Sequence, residues 1–386
     1  MPSSTSNSKK RMRLPRLFFR KPTEAESIHG GPPMEFERPI PTVPWRGITV
    51  IVALVTLATC IGWESYVRSI GYGPTLNDNE DLWTRTRRQV QPESIVIIGD
   101  SRGLFDFDFD ELQAGLGKRP VQLAVAGSCA FPVFTDLAND VKFHGTIICS
   151  MVPRLFFAPP GTPPYETGEK VVRRFHNQTP AQRASERLAM PLEEHVAFLK
   201  KDELDLAELL LRLPIPNRPG ALVPPRLPPY FATVDRERRV RMIEKCSAPG
   251  SELAKHIQQI WIPLFTPPPP PTYIPKDVFM AGIGKAIATR FQDINAAVAK
   301  FRDRGGKIVF VRLPMTGKVK EIEDQITPRA RIWEPLLQQT KVPGIYFEDY
   351  PELKGFQCPE WSHLSAGDSV EFTKRLVPHL QKALQR

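Results

Sequence analysis

Ile95-Val96-Ile97-Ile98-Gly99-Asp100-Ser101-Arg102 is the stretch from which the fold is read. Four β-branched residues in a row predict a buried strand. Gly99-Asp100 end it with turn chemistry, which leaves Ser101 at the strand's C-terminal end. In open α/β sheets that edge is where ligands bind. A serine there becomes a nucleophile when a base lies within hydrogen-bond reach. A base is available far downstream, in Glu360-Trp361-Ser362-His363.

Working outward, the strand predicted at Ser94–Ile98 is followed by a loop and short helix through Phe105–Leu116. A second strand, Val121–Val125, ends in Ala126-Gly127-Ser128. A third, Thr146–Ser150, follows His144-Gly145. Helix Lys276–Arg304 leads through Gly305-Gly306 into strand Lys307–Arg312, the order of an αβ unit in a parallel sheet. Ile345-Tyr346-Phe347 reads as a short last strand and Ala366–Leu384 as a terminal amphipathic helix. The pattern predicts an α/β fold with a doubly wound, mainly parallel sheet over residues 90–386. Residues 153–275 read as an insertion, with helical patterns around Pro180–Leu213 and Val234–Ile262. Pro-rich connectors, Pro214–Pro229 and Pro267–Pro271, follow them. The 41 prolines of the 386-residue chain cluster in such stretches, which excludes a collagen-like repeat. Arg236, Arg238, Arg239 and Arg241 read as a solvated helix face.

The net charge of +10 is unevenly placed. Lys9, Lys10, Arg11, Arg13, Arg16, Arg20 and Lys21 crowd the start of a polar, Pro-rich tail, residues 1–44, expected to be disordered. Gly47–Trp63 then carries no charge over 17 residues, enough for a short bilayer span. Trp45, Trp63 and Tyr66 flank it, as interfacial aromatics do, and define an anchor over residues 45–66. Acidic residues Glu64, Asp78, Glu80 and Asp81 follow. The positive-inside rule puts the N-terminus in the cytoplasm and the main domain outside. The long basic lead argues against a cleaved signal peptide, and Leu57-Ala58-Thr59-Cys60 departs from a lipoprotein cleavage box at its threonine. Basic charge on the far side of the anchor argues against a nucleic-acid partner. Cys129, Cys149, Cys246 and Cys358 would then face an oxidising compartment, with three possible pairings. No cysteine and histidine spacing suggests a metal, and no cofactor is expected.

Gly99-Asp100-Ser101 after a strand, Gly127 after the second, and an acid-x-x-His near the C-terminus together resemble the SGNH/GDSL hydrolase superfamily, over about Ser94–Ser150 and Gly305–His379. The resemblance implies that Ser101 is the nucleophile, that His363 is the general base and that Glu360, in place of the usual aspartate, orients it. It also implies that the Gly127 N–H helps hold an oxyanion. Asp368 is the reserve acid. Asp100 reads as a turn residue rather than a proton carrier. The family's third block supplies an asparagine, and here that region reads Cys149-Ser150-Met151-Val152-Pro153-Arg154. Ser150, Arg154 or Arg102 are the candidate substitutes, and Arg312, ending a strand on the same edge, is a candidate pocket-lining residue.

The departure fits the membrane-anchored branch of the superfamily, resembling the alginate acetylation proteins and the D-alanyl transfer protein. That resemblance implies a bacterial inner-membrane O-acyltransferase with its domain in the periplasm. It would pass an acyl group to a surface or secreted polysaccharide, with a membrane-bound O-acyltransferase as partner. Two rival expectations are a plain periplasmic carbohydrate esterase and a non-catalytic assembly factor of an envelope polysaccharide machine.

Overall fold

The computed structural model describes residues 43–200, 204, 210 and 227–385. The basic tail, most of the Pro214–Pro229 connector and the end of the Pro180–Leu213 pattern lie outside the described residues. The chain divides into two compact units, Met1–Leu57 and Ala58–Arg386. Helix Trp45–Ser69 carries the apolar run and is long and apolar enough to cross a membrane. Its 25 residues rise about 37 Å.

The second unit is built on a five-stranded sheet. Its strands are β1 (Ile95–Ile98), β2 (Val121–Gln122), β3 (Thr146–Ser150), β6 (Lys307–Arg312) and β7 (Gly344–Tyr346). A separate antiparallel hairpin pairs β4 (Ala232–Val234) with β5 (Val240–Met242). The order in the large sheet is β2-β1-β3-β6-β7, and every pairing is parallel. All four residues of β1 are buried, as the β-branched run predicts for a central strand covered on both faces. The chain steps from β1 outward to β2, then back across β1 to β3, so the winding direction reverses between β1 and β3. Such a reversal opens a crevice at the strands' C-terminal ends, and Ser101 stands at it.

Strand β2 is shorter than the Val121–Val125 run suggests. The chain still follows β1, through Leu123 N–H to Ile97 O at 2.8 Å and Val125 N–H to Gly99 O at 3.0 Å. On the outer side, the Gln122 and Ala124 carbonyls accept hydrogen bonds from Arg238. A guanidinium thus covers an edge that would otherwise be open for pairing.

Arg238 corrects one expectation. The run Arg236–Arg241 is not a solvated helix face but the turn and second strand of the β4–β5 hairpin. Arg238 sits in the left-handed region (φ 60°) and is 1% exposed. Asp78 binds its guanidinium at 2.6 and 2.9 Å, which compensates a charge that could not be buried alone. The rest of the second helical pattern holds as helices Glu244–Ser247 and Glu252–Phe265. Helix Pro163–Asn177 also belongs to the insertion. The prolines before it obscure it in sequence, although proline fits the first helical turn.

None of the four cysteines beyond the apolar helix is paired. Cys129, Cys149, Cys246 and Cys358 are all buried free thiols. Burial pushes Cys129 up to about 11 and Cys246 up to about 12, so neither is a reactive thiolate near neutrality. In native protein in a bilayer, a water-soluble thiol reagent should leave Cys60 unmodified, because it lies within the apolar helix. The other four should react only on unfolding, and a shortfall after unfolding without reductant would reveal a disulfide.

Candidate active site

The C-terminal end of β1 and one distant loop build the site. After β1 the backbone turns at Gly99 with φ 144°, a conformation that favours glycine. A Cβ there would lie 2.5 Å from Ser150 Cβ and 2.8 Å from Ser150 O. Gly99→Ala therefore displaces the turn that presents Ser101. Both a lower melting temperature and a loss of serine reactivity are expected, measured by calorimetry and by active-site labelling. Asp100 then caps helix Ser101–Phe105, its carboxylate accepting from Arg102 N–H at 2.9 Å. As expected, it is a turn residue. Ser101 opens the helix, so its N–H has no intrahelical acceptor.

The histidine arrives on the loop Cys358–Ser365. Trp361 holds a left-handed conformation in it (φ 79°), strain of the kind that surrounding contacts must enforce. Here they do. Thr316 N–H donates to Trp361 O at 2.9 Å, and the Thr316 hydroxyl donates to Cys358 O at 3.2 Å. Leu364 N–H donates to the Asp106 carboxyl at 2.9 Å, and Arg102 Nε to Ser362 O at 3.2 Å. Burial pushes the Asp106 carboxyl well above the usual carboxylate range, against the Leu364 bond and the charge of Arg102.

These constraints bring His363 Nε2 to 2.8 Å from Ser101 Oγ. On the other side of the ring, His363 Nδ1 lies 3.0 Å from Glu360 Oε1. An ionised carboxylate only accepts, so Nδ1 carries the proton and Nε2 is free to accept the serine's. Phe105 stacks on the imidazole, with centroids 4.3 Å apart and planes at 25°. Both His363 and Glu360 are buried, whereas Ser101 is partly exposed. Ser101 is thus brought against His363, 262 residues along the chain, and His363 against Glu360.

The loop curls round the Glu360 side chain. Glu360 Oε1 also accepts from its own loop, from His363 N–H at 2.5 Å and Ser362 N–H at 3.3 Å. The second oxygen accepts from the indole N–H of Trp261, on helix Glu252–Phe265. No sequence spacing links Trp261 to Glu360, and the reading of the sequence missed it. Asp368, the reserve acid, is instead bound up with the N-cap of helix Ala366–Leu384, where the Ser365 hydroxyl donates to its carboxylate at 2.8 Å.

Gly127 lies exposed in a left-handed turn after β2 (φ 64°), with open space around its Cα. Its N–H has no backbone acceptor among the described residues. The candidate arginines are engaged elsewhere. Arg102 is 1% exposed and paired with Glu323 at 2.5 and 3.1 Å. Arg312 is buried against the same carboxylate and donates to Met151 O at 3.2 Å. Arg154 donates to the Leu264 and Phe265 carbonyls at the C-terminal end of helix Glu252–Phe265. Ser150 is buried against Gly99 and Gly103, beneath the turn rather than at its surface. The expected cations are thus structural: a buried carboxylate drew both Arg102 and Arg312 inward.

The fold and site define an α/β protein that carries a serine–histidine–glutamate constellation at the C-terminal edge of a parallel sheet. No protein-family model matches the sequence, and no curated protein matches it. No group of three or more candidate metal-ligating side chains occurs among the described residues.

Proposed function

We propose that this chain is a membrane-anchored serine O-acyltransferase or esterase of the SGNH type. In this reading Ser101 is the nucleophile, His363 the base and Glu360 the orienting acid. The observation that carries it is the 2.8 Å contact from His363 Nε2 to Ser101 Oγ, with Glu360 on the far ring nitrogen. Helices Phe109–Leu116 and Ala366–Leu384 pack together, as do Phe131–Asn139 and Lys276–Arg302, and this grouping supports a doubly wound sheet.

In the reaction, Ser101 Oγ attacks the acyl carbonyl as His363 Nε2 takes its proton. The negative charge that develops on the carbonyl oxygen is held by the Ser101 and Gly127 N–H groups, each such donor being worth roughly 3–4 kcal/mol. The tetrahedral intermediate collapses, and the donor alcohol leaves with the proton from His363. An acyl-Ser101 ester remains. A sugar hydroxyl then gives its proton to His363 and attacks the ester; the second tetrahedral intermediate expels Ser101 Oγ, which takes that proton from His363, and the acylated sugar leaves. Water in that second step makes the same site an esterase.

In this reading the domain lies in the bacterial periplasm, anchored by one span in the inner membrane; the apolar helix and the basic tail support it. A membrane-bound O-acyltransferase that delivers the acyl group and a polysaccharide that receives it complete the reading. The test uses full-length protein in lipid nanodiscs with p-nitrophenyl acetate, with and without acidic oligosaccharides. Transferase activity predicts faster nitrophenol release with acceptor, and acetyl recovered on the sugar. Release unchanged by any acceptor would identify a plain esterase.

A further inference from the structure

The insertion is not peripheral to the site. Its helix Glu252–Phe265 is tied to the histidine loop and to the chain after β3. Gln258 Nε2 donates to Pro359 O at 2.9 Å, Trp261 Nε1 donates to Glu360 Oε2, and Arg154 holds the helix's last carbonyls. Ala254, Ile257, Cys246, Val240 and Met242 of the insertion share a core with Leu104 and Phe105, which belong to the helix that Ser101 opens. Phe231, just before β4, stacks on Phe105 at 5.4 Å. The Trp261 indole also meets the His363 ring edge-on, with centroids 6.1 Å apart and planes at 64°.

We propose that Trp261 is a positioning residue of the active site, supplied by the insertion, that acts through Glu360. The proposal rests on reading Ser101 as the nucleophile. Glu360 is fully buried and has two oxygens to satisfy. Oε1 serves the histidine and its loop, so Oε2 would be an unpaired anionic acceptor without the indole, and a buried unpaired acceptor is costly. A charge-assisted hydrogen bond fixes the carboxylate plane and so fixes the imidazole in the tautomer that can receive the serine proton. Catalytic competence then depends on the insertion being docked: displacement of helix Glu252–Phe265 frees the Glu360 carboxylate and also strips packing from the helix that Ser101 opens. This gives the insertion a role that its Pro-rich sequence does not announce.

The experiment is inactivation of full-length protein by a fluorophosphonate, resolved into the limiting rate kinact and the half-saturating concentration KI. Wild type, Trp261→Phe, Glu360→Ala and the double variant form a cycle, with circular dichroism to confirm the fold and Trp261→Tyr as a second variant. Phenylalanine keeps an aromatic ring but has no donor. The expected result is a fall in kinact of about 10-fold with KI unchanged, and less than a 2-fold further effect of Trp261→Phe once Glu360 is alanine. Equal effects in both backgrounds, or a change in KI alone, would show that Trp261 only packs. Wild-type protein that does not react at all would overturn the reading of Ser101, and this proposal with it.

Discussion

His363→Ala lowers the rate of attack by Ser101 on an activated ester by about 10^4 to 10^6-fold, the range seen when the base of such a unit is removed. The size follows from the geometry. Ser101 has one base within reach among the described residues, at 2.8 Å, and a neutral hydroxyl is a weak nucleophile without it. The loop is held independently by Thr316, Asp106 and Arg102, so alanine removes the imidazole without releasing the backbone. Glu360→Gln is expected to be milder in rate, because the imidazole remains but loses the negative charge that stabilises its protonated form. Burst kinetics with p-nitrophenyl acetate measure both. A His363→Ala variant that keeps even a tenth of wild-type activity would mean that another group takes the proton.

The second large effect is on stability. Glu323→Gln should cost about 3–5 kcal/mol, because it leaves Arg102 and Arg312 buried without a counter-charge. Each of these three side chains is at most 3% exposed. Burial by itself would raise the Glu323 carboxyl. The charges of Arg102 and Arg312, with their hydrogen bonds, outweigh burial and hold it down at about 2, against an ordinary 4.5. The depressed value means that the folded state keeps the carboxylate ionised where the unfolded chain would protonate it. The contribution is fully present above about pH 4.5 and is lost as pH falls toward 2. Chemical denaturation of both proteins from pH 7 to pH 2.5 should show a wide gap that narrows below pH 4.5. Glu321→Gln, which touches only an exposed pair with Lys318, should change stability by less than about 0.5 kcal/mol.

The parts of the fold that were legible in the sequence are those whose cause is local. Strands β1, β3 and β6 are runs of β-branched residues bounded by glycine or a polar turn. The terminal helix announces itself by Ser365 as cap and by its apolar period. The acid-x-x-His element was legible because its residues act on one another three positions apart. What was hidden depends on partners far along the chain. Arg102 reads as a site cation until Glu323, 221 residues away, draws it inward. Arg238 reads as solvated until Asp78 meets it from 160 residues off. The β4–β5 hairpin carries its apolar alternation beneath a run of arginines, and the charge pattern masks the period of two. Trp261 sits on an apolar helix face, where nothing in the sequence distinguishes a core tryptophan from one that serves a carboxylate.

The measurement that bears most directly on Ser101 as an activated nucleophile is peptide mapping after fluorophosphonate treatment of the full-length protein, with Ser101→Ala and His363→Ala alongside. The account predicts a single phosphonylated peptide, modified at Ser101, and no modification in either variant. Wild-type protein that is folded yet unmodified, or that is modified at another serine, would contradict it.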